Sequence, residues 1–271
     1  MSIKNIGNIH TLANILCFEV IFLKKYLYIC AIVVLIIAIL FEIMNINAYT
    51  PVYAQLGKEK PIYCVDTSEK KVAISFDAAW GADNTKRILD ILDSFEVHAT
   101  FFLVGFWVDK YPEMVKEIDS RGYEIGNHSE NHPKMSQLSI QQMENEITCV
   151  NKKICDITGK TPNVFRAPFG DYSDDVIKTL KKLNMHTVQW SIDSLDWKEY
   201  GKNQLVERVL KKVKNGDIIL FHNNAKYTPD ALPEILTELQ NRGFAVCSVG
   251  ELIYQTDYNV DINGIQHKLQ Q

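Results

Sequence analysis

This 271-residue sequence has no excess of basic residues and no CxxC cysteine pair. The formal net charge is -4, and lysine pairs are scattered along the chain instead of forming one basic patch, so we expect no nucleic-acid partner. The six cysteines include no CxxC pair, which argues against a zinc ribbon or a dithiol redox motif. Hydrophobic residues make up 46% and charged residues 23%, as in a globular protein with one large α/β domain or two small ones.

Charge is missing altogether from residues 26–41, which read YLYICAIVVLIIAILF. A membrane-spanning helix needs about 20 apolar residues, with roughly 17 to 25 tolerated, and extension past one glutamate to Met44 reaches that length. Lys24 and Lys25 precede the run, which predicts a cytoplasmic N-terminus and an extracytoplasmic remainder. We therefore predict a single-pass anchor in the cell membrane. The alternative is secretion after signal cleavage, although no clean A-x-A cleavage site follows.

The apolar run divides the chain into five predicted segments. An earlier apolar stretch, residues 12–23, precedes the lysines and is either a second interfacial segment or lies before the true start codon. The segments are a cytoplasmic or interfacial N-terminus (1–25), a transmembrane or signal-anchor helix (26–44), a polar linker (45–70), an α/β domain (71–254) and a polar, peripheral tail (255–271).

From Lys71 onward, short β-type runs alternate with helical periods. The β-type runs cover residues 71–76, 98–104, 123–125, 163–165, 186–192, 217–221 and 244–248. Between two of them, Ser139 and Gln142 form a candidate capping box for a helix that continues to about Thr158 and is closed by Gly159. Such alternation favours a mostly parallel sheet wrapped by helices, either as a (β/α) barrel or as an open sheet.

Polar residues follow the ends of several of these strands. They are Asp77, His128, His132, Arg166, Asp193, Asp196 and His222. In a (β/α) barrel the carboxyl ends of the strands converge on one face, where active sites of that fold are built. The two histidines, four residues apart, suit one divalent cation, although two unrelated surface histidines are the alternative for that pair alone. Because the whole set shares one placement, we predict metal-assisted hydrolysis, with a carboxylate that accepts the water proton and a histidine that protonates the leaving group.

Five ordered motifs give the chain from Lys71 to about Ile253 a family resemblance. The motifs are SFDAAWG (75–81) with ATFF (99–102), HSENHP (128–133), RAPFG (166–170), DSLDW (193–197) and LFH (220–222). This stretch resembles the polysaccharide deacetylase (NodB-homology) domain of carbohydrate esterase family four. The resemblance implies a distorted (β/α) barrel and hydrolysis of the N-acetyl group of a hexosamine, with release of acetate.

The resemblance also implies roles for the residues at the strand ends. Asp77 would be the base that activates water, with Arg166 orienting it, and His128 and His132 would hold a divalent cation, commonly zinc. His222 would be the general acid, because an adjacent carboxylate raises a histidine pKa.

Further roles concern the support of that acid and the binding of substrate. Asp196 would be the carboxylate beside the acid, and Asp193 would play a supporting part. Trp197 and Leu220 would wall the pocket for the acetyl methyl group. Pro168 and Tyr172, in and beside the third motif, are further substrate-binding candidates, a buried structural role being the alternative for Tyr172.

One position departs from the family pattern: Ala78 stands where the family has a second aspartate, its third metal ligand. Two histidines alone make a poor zinc site, since catalytic zinc usually has three protein ligands. Asp77 could move onto the metal, Asp83 or another carboxylate could reach in, or the site could bind no metal.

The form FDAAWG resembles a sporulation-associated subgroup of Gram-positive spore formers, which implies peptidoglycan as the substrate, with spore cortex as the narrower prediction. Two hypotheses follow. The first is an anchored, extracytoplasmic peptidoglycan N-deacetylase, and the second is a non-catalytic glycan-binding protein on the same scaffold. A cytoplasmic small-molecule amidohydrolase is disfavoured by the apolar N-terminal run.

Overall fold

The computed structural model describes residues 24–27, 29, 31–41 and 58–269. The chain forms two compact units, residues 1–57 and 58–271. In the first unit, helix α1 (Lys24–Phe41) has a mean hydropathy of 2.3 and is long and apolar enough to cross a membrane, a property that an N-terminal signal sequence shares. The apolar stretch 12–23 and residues 45–57 of the predicted linker lie outside the described residues.

The second unit contains eleven strands among its described residues. They are β1 (Cys64–Val65), β2 (Lys71–Ala78), β3 (Thr100–Leu103), β4 (Glu124–Asn127), β5 (Val164–Phe165), β6 (His186–Thr187), β7 (Ile192–Asp193), β8 (Ile218–His222), β9 (Ala245–Cys247), β10 (Tyr258–Val260) and β11 (Ile265–Lys268). Eight of them form one sheet in the order β6-β5-β4-β3-β2-β8-β7, with β9 beside the first half of β2. Every pair in this sheet is parallel. The sheet curls into a half-barrel, which confirms the predicted α/β barrel class.

Helices connect the strands and cover the outside of this sheet. They are α2 (Thr85–Ser94), α3 (Gly105–Lys110), α4 (Pro112–Ser120), α5 (Ile140–Thr158), α6 (Asp174–Lys182), α7 (Lys202–Leu210), α8 (Thr228–Asn241) and α9 (Val249–Leu252). The predicted capping box is present at the start of α5, where Ser139 and Gln142 bond reciprocally, and Gly159 ends the helix with a φ of 74°. A left-handed residue after the last turn is the usual way for glycine to close a helix.

The predicted strand over 186–192 is wrong as a single element. Its first residues pair with β5, at Val164–His186, whereas its last residues pair with β8, at Ile192–Ile219. The two short strands that result, β6 and β7, are the opposite edges of the sheet. The chain leaves the first ladder after Val188, whose N–H donates to Phe165, and joins the second at Ser191, whose N–H donates to Ile218.

Strand β2 divides the interior into two faces. Its even-numbered side chains, among them Phe76, enter the cluster that packs under the helices. There the Phe76 ring stacks between Phe101 and Phe221, with centroid separations of 5.0 and 5.7 Å. Its odd-numbered residues point to the opposite face because side chains alternate along a strand, and that face carries Ser75 and Asp77. Ala78, the last residue of β2, belongs to the helix-side cluster and is fully buried.

The second unit extends beyond the predicted boundaries of 71–254. Strands β1, β11 and β10 form a separate three-stranded sheet that joins residues from both ends of the unit. The side chain of Gln266 is buried there and bonds the main chain of Tyr254 in both directions, at 2.7 and 2.9 Å. Pairing between segments about 200 residues apart leaves no local signature in the sequence, so these strands were not predicted.

Candidate active site

The ends of the central strands open into a cavity of about 650 Å³. Seven of the predicted site residues line it: Asp77, His128, His132, Asp193, Trp197, Leu220 and His222. Arg166 and Asp196 are buried behind this lining, in contact with Asp77 and His222 respectively. The structure thus brings nine of the eleven predicted residues to one place.

The two remaining predicted residues do not line the cavity. Pro168 is buried within a 3₁₀ turn, Pro168–Gly170. Tyr172 packs against the apolar cluster around Met135 and Leu180, so the structural alternative for Tyr172 fits its position. Asp83 is exposed and lies outside the cavity lining.

Asp77 and Arg166 form a buried ion pair. Arg166 Nη1 donates to Asp77 Oδ1 at 2.7 Å, while Nη2 donates to Ser75 Oγ at 2.8 Å and to the carbonyl of Gln189 at 3.0 Å. The guanidinium also lies 4.1 Å above the Phe102 ring. Burial by itself would raise the pKa of Asp77, but Arg166, with smaller effects of His128 and His222, outweighs it and holds that pKa below its ordinary value. Asp77 is therefore an ionised carboxylate with a fixed orientation.

His128 faces the same carboxylate from the end of β4. Its Nδ1 lies 2.8 Å from the carbonyl oxygen of Arg166, and because a carbonyl only accepts, Nδ1 carries the hydrogen. Nε2 is left with its lone pair, 3.4 Å from Asp77 Oδ2. Burial lowers the pKa of His128, and burial together with the neighbouring His128 lowers that of His132 to about 4. Both imidazoles are neutral, as metal ligands must be.

The loop that carries both histidines is fastened to helix α5. Asn127 donates to the carbonyl of Ile147, and the main chain and side chain of Asn131 both donate to Glu146, all at 2.8 Å. These bonds hold the loop although His132 adopts a left-handed φ of 56°. Strained non-glycine residues of this kind persist where the surroundings over-determine them.

His222 is held by a carboxylate on the other side of the cavity. Its Nδ1 lies 2.7 Å from Asp196 Oδ1, and its main-chain N–H donates to Asp196 Oδ2 at 2.8 Å. Asp196 Oδ2 also accepts from the hydroxyl of Thr228 at 2.7 Å. Burial alone would lower the pKa of His222, but the hydrogen bond and charge of Asp196 raise it above its ordinary value. With Nδ1 engaged, Nε2 is the nitrogen available to a substrate.

Exposed aromatic rings surround the mouth of the cavity. Trp80, Phe169 and Trp197 line it while remaining more than half exposed, and Tyr200 follows close by, equally exposed. Trp80 and Phe169 both pack edge-on against the His132 ring, with centroid separations of 5.0 and 4.5 Å. Trp80 and Phe169 fall inside the quoted motifs, yet sequence reasoning missed them as site residues, because local pattern does not tell an exposed ring from a buried one.

Other lining residues were also missed. They are Ala79, Trp190, Glu199, Asn223, Asn224 and Ala225. Most follow strands β7 or β8 in the loops beyond the motifs, where the only available signal was their position near a strand end. The carbonyl oxygen of the Asn224 side chain is buried without a hydrogen-bond partner.

The donor set fits a divalent cation in part. Two ligands of a tetrahedral zinc ion, each at about 2.1 Å, lie about 3.4 Å apart, which is the separation of His128 Nε2 and Asp77 Oδ2. His132 supplies a third donor from the adjacent ring, 5.0 Å from that of His128 between centroids. Within the described residues, no three His, Cys, Asp or Glu side chains already converge as a finished metal site. The ligand atoms and the distance between His128 Nε2 and Asp77 Oδ2 therefore suit zinc. The third donor, His132, does not converge with these two atoms.

Comparisons with known proteins assign this fold and site to a family of hydrolases that act on N-acetylated carbohydrate. Residues 65–188 match the polysaccharide deacetylase family. The peptidoglycan-N-acetylglucosamine deacetylase of Bacillus cereus is 39% identical to the chain, over 70% of the chain and 91% of that relative. For the peptidoglycan-N-acetylmuramic acid deacetylase PdaA of Bacillus subtilis the identity is 32%, over 74% of the chain and 78% of the relative. The chain belongs to the polysaccharide deacetylase family, whose active members hydrolyse N-acetyl amide bonds.

Three further comparisons concern a relative without an assigned activity, a pseudoenzyme and a pseudoenzyme mutant with restored activity. The uncharacterized protein YlxY of Bacillus subtilis is 35% identical over 76% of the chain, which spans only 64% of that relative. Among solved structures, the wild-type CE4 family pseudoenzyme of Bacillus anthracis superposes with a TM-score of 0.69 and 32% identity, over 78% of this chain and 73% of that one. A mutant of a CE4 family pseudoenzyme with restored enzymatic activity gives 0.70 and 35%, over 72% and 71%.

Proposed function

We propose that this chain removes acetyl groups from N-acetylated hexosamines of peptidoglycan. The observation that carries the proposal is the convergence of the Asp77–Arg166 pair, the two histidines and the His222–Asp196 pair on one cavity. The names of the relatives from Bacillus cereus and Bacillus subtilis support peptidoglycan as the substrate. Spore cortex, the narrower prediction from the sequence, stays a prediction.

The residues at the cavity have different roles in amide hydrolysis. Water adds its oxygen to the acetyl carbonyl carbon, the C–N bond breaks, and the products are acetate and a free amine. The departing nitrogen needs a proton, which His222 delivers from Nε2 while Asp196 holds Nδ1. Arg166 positions Asp77 beside His128 and His132.

We propose His128 and His132 as ligands of a divalent cation. When bound, such a cation polarises a carbonyl oxygen and lowers the pKa of water to about 7. Asp77 brings negative charge to the same place. Zinc is the metal that the resemblance implies.

The exposed aromatic rings support a sugar as the ligand. Rings that stay largely exposed at a cavity mouth offer flat apolar faces to a partner. We propose that Trp80, Phe169 and Trp197 contact pyranose rings, with Leu220 at the cavity wall beside the acetyl methyl group. Because peptidoglycan is extracytoplasmic, we also propose that α1 anchors the catalytic unit at the outer side of the cell membrane.

The test of this function is acetate release from peptidoglycan by the purified full chain in detergent. We expect His222→Ala to lower the rate by roughly 10² to 10⁴, the usual contribution of a positioned acid. His98→Ala is the matched control, because that histidine lies on the surface and pairs with Glu251, away from the cavity. Acetate release by His222→Ala at the unmodified rate would disprove the proposed acid.

Ala78 favours a second candidate function: glycan binding without turnover. A pseudoenzyme of the same fold among the comparisons supports it. This function predicts glycan affinity without acetate release, and affinity that survives His128→Ala or His132→Ala. Loss of glycan affinity with either histidine counts against it.

An Ala78→Asp variant separates the two candidates further. If the unmodified chain neither binds metal nor releases acetate while Ala78→Asp does both, binding without turnover is the native function. Because Ala78 faces the apolar helix-side cluster, a carboxylate there reaches the cavity only if the end of β2 rotates. Thermal melting of the variant must therefore accompany the assay.

A further inference from the structure

The contact between Asp77 and His128 is unsatisfied as it stands. The carbonyl of Arg166 fixes the hydrogen of His128 on Nδ1, so in the neutral form, which metal binding requires, Nε2 presents a lone pair. Asp77 Oδ2 presents another, 3.4 Å away, while Oδ1 already accepts from Arg166. Two buried acceptors that face each other repel unless a proton donor or a cation lies between them.

No other carboxylate takes the place of the missing second aspartate. Ala78 faces the helix-side core, because it alternates with Asp77 along β2. Asp83 lies outside the cavity lining, and Glu199 is exposed at its mouth. Asp193 lines the cavity, but its Oδ1 accepts the main-chain N–H of Leu195 at 2.8 Å. Among the described residues, Asp77 is the carboxylate that contacts a histidine of the predicted metal pair.

We propose that Asp77 is itself the third protein ligand of the divalent cation in this chain, together with His128 and His132, instead of a separate catalytic base. This inference rests on the proposed function, since it concerns the same site. The 3.4 Å between Asp77 Oδ2 and His128 Nε2 is the spacing of two ligands on one tetrahedral zinc ion. Arg166, on the other carboxylate oxygen, supports this ligand from behind, as outer hydrogen bonds to metal-binding carboxylates usually do.

The assignment explains how the chain can bind metal with alanine at position 78. It also removes Asp77 from proton transfer, because Oδ1 is taken by Arg166 and Oδ2 by the cation. Since a bound divalent cation would lower the pKa of water to about 7, the attacking water would release its proton to the solvent, and the reaction would not require a carboxylate base.

The test is Zn²⁺ affinity, measured by isothermal titration calorimetry on the metal-free full chain in detergent. We expect His128→Ala and Asp77→Asn each to weaken Zn²⁺ binding by about 100-fold or more, beyond the effect of an outer-sphere change. Glu199→Gln is the matched control, since it removes one carboxylate charge at the mouth of the same cavity, and its affinity should stay within about threefold. With Co²⁺ in place of Zn²⁺, the visible absorption of the unmodified chain should indicate four-coordination and change in Asp77→Asn.

Asparagine keeps an acceptor for Arg166, so this variant should fold, as thermal melting without metal will show. If it does not, Asp77→Ser offers a hydroxyl acceptor and replaces it in the titration. Zn²⁺ affinity in Asp77→Asn or Asp77→Ser within threefold of the unmodified chain overturns the inference, as does absence of Zn²⁺ binding by the unmodified chain.

The proposed function and this inference fail in different ways. If Asp77→Asn binds Zn²⁺ normally but releases no acetate, the deacetylase stands and Asp77 is its base. If the unmodified chain needs Asp77 to bind Zn²⁺ but releases no acetate, the ligand assignment stands and the deacetylase fails.

Discussion

Single charged residues in this site are matched to buried partners. Asp77 pairs with Arg166, and Asp196 pairs with His222, each at 2.7 Å. In each pair the buried carboxylate is compensated by the positive charge of its partner. Breaking such a pair from one side leaves an uncompensated buried charge, which is strongly destabilising. The folded pKa of His222 lies above its unfolded value. Its protonation therefore contributes stability that is complete below about pH 6.5 and is lost as pH rises through the folded pKa.

The same pair sets the pH range in which His222 can act as an acid. In Asp196→Asn the burial of His222 remains while the opposite charge is removed, so the pKa of His222 should fall below its ordinary value. An acid loses activity as pH rises through its pKa, so the alkaline limit of acetate release should move to lower pH. The measurements are a pH–rate profile and an NMR titration of the His222 ring.

Asp193→Asn is the matched control for that shift. Asp193 raises the pKa of His222 less than Asp196 does and forms no hydrogen bond with the ring. The pKa of His222 should therefore fall less in Asp193→Asn than in Asp196→Asn. An unchanged His222 titration in Asp196→Asn would refute the role given to that carboxylate.

At the scale of elements, short loops hold the site residues in uncommon backbone conformations. Left-handed φ values occur at five non-glycine residues of the loops around the cavity: Ser129, His132, Phe169, Leu195 and Glu199. Each such residue costs of order 1 to 3 kcal/mol. Helix α5 bonds the histidine loop in several places, which explains how a strained loop stays ordered next to a regular element.

The turn Pro168–Gly170 offers a direct test of this cost. Phe169 has a φ of 58° and a side chain that is 65% exposed, so the ring contributes little to the core. We expect Phe169→Gly to be more stable than Phe169→Ala by about 1 kcal/mol, because glycine adopts this φ without strain. Both variants should lose glycan affinity to a similar extent, because both remove the ring that contacts His132.

Chemical denaturation and glycan binding assays measure the two effects separately. Equal stability of the glycine and alanine variants would show that the turn is not strained. Unchanged glycan affinity in both would remove Phe169 from the proposed binding surface.

At the scale of the whole molecule, the parallel sheet explains why residues far apart in sequence meet. Asp77, His128, Arg166 and His222 lie at or just beyond the ends of β2, β4, β5 and β8, and every one of these strands ends on the same side because all pairs are parallel. The unit from Lys58 onward contains this site entirely. The apolar helix α1 belongs to the other unit.

This division predicts that attachment and activity can be separated. The full chain should sediment with membranes and be released by detergent but not by high salt, because a spanning helix is held by apolar burial. A chain that begins at Lys58 should stay in the soluble fraction and retain acetate release. Cleavage of the N-terminus during export, detected by mass spectrometry, would contradict the anchor and support the secreted alternative.

The amino-acid sequence by itself determined the fold class and most of the site, because both depend on local features. Alternating hydrophobic periods predicted the strands and helices, and the capping box predicted the start of α5. Polar residues after the strands predicted the edge of the sheet at which the site lies. The family motifs then identified which of these polar residues belong together.

Only the tertiary structure decided the contacts between them. That Arg166 occupies one oxygen of Asp77 while His128 faces the other depends on the order of four neighbouring strands, β5-β4-β3-β2. The same holds for Tyr172, which packs away from the cavity, and for the sheet that joins β1 to β11. Side-chain direction and long-range pairing arise from packing between distant segments, and no local pattern contains that information.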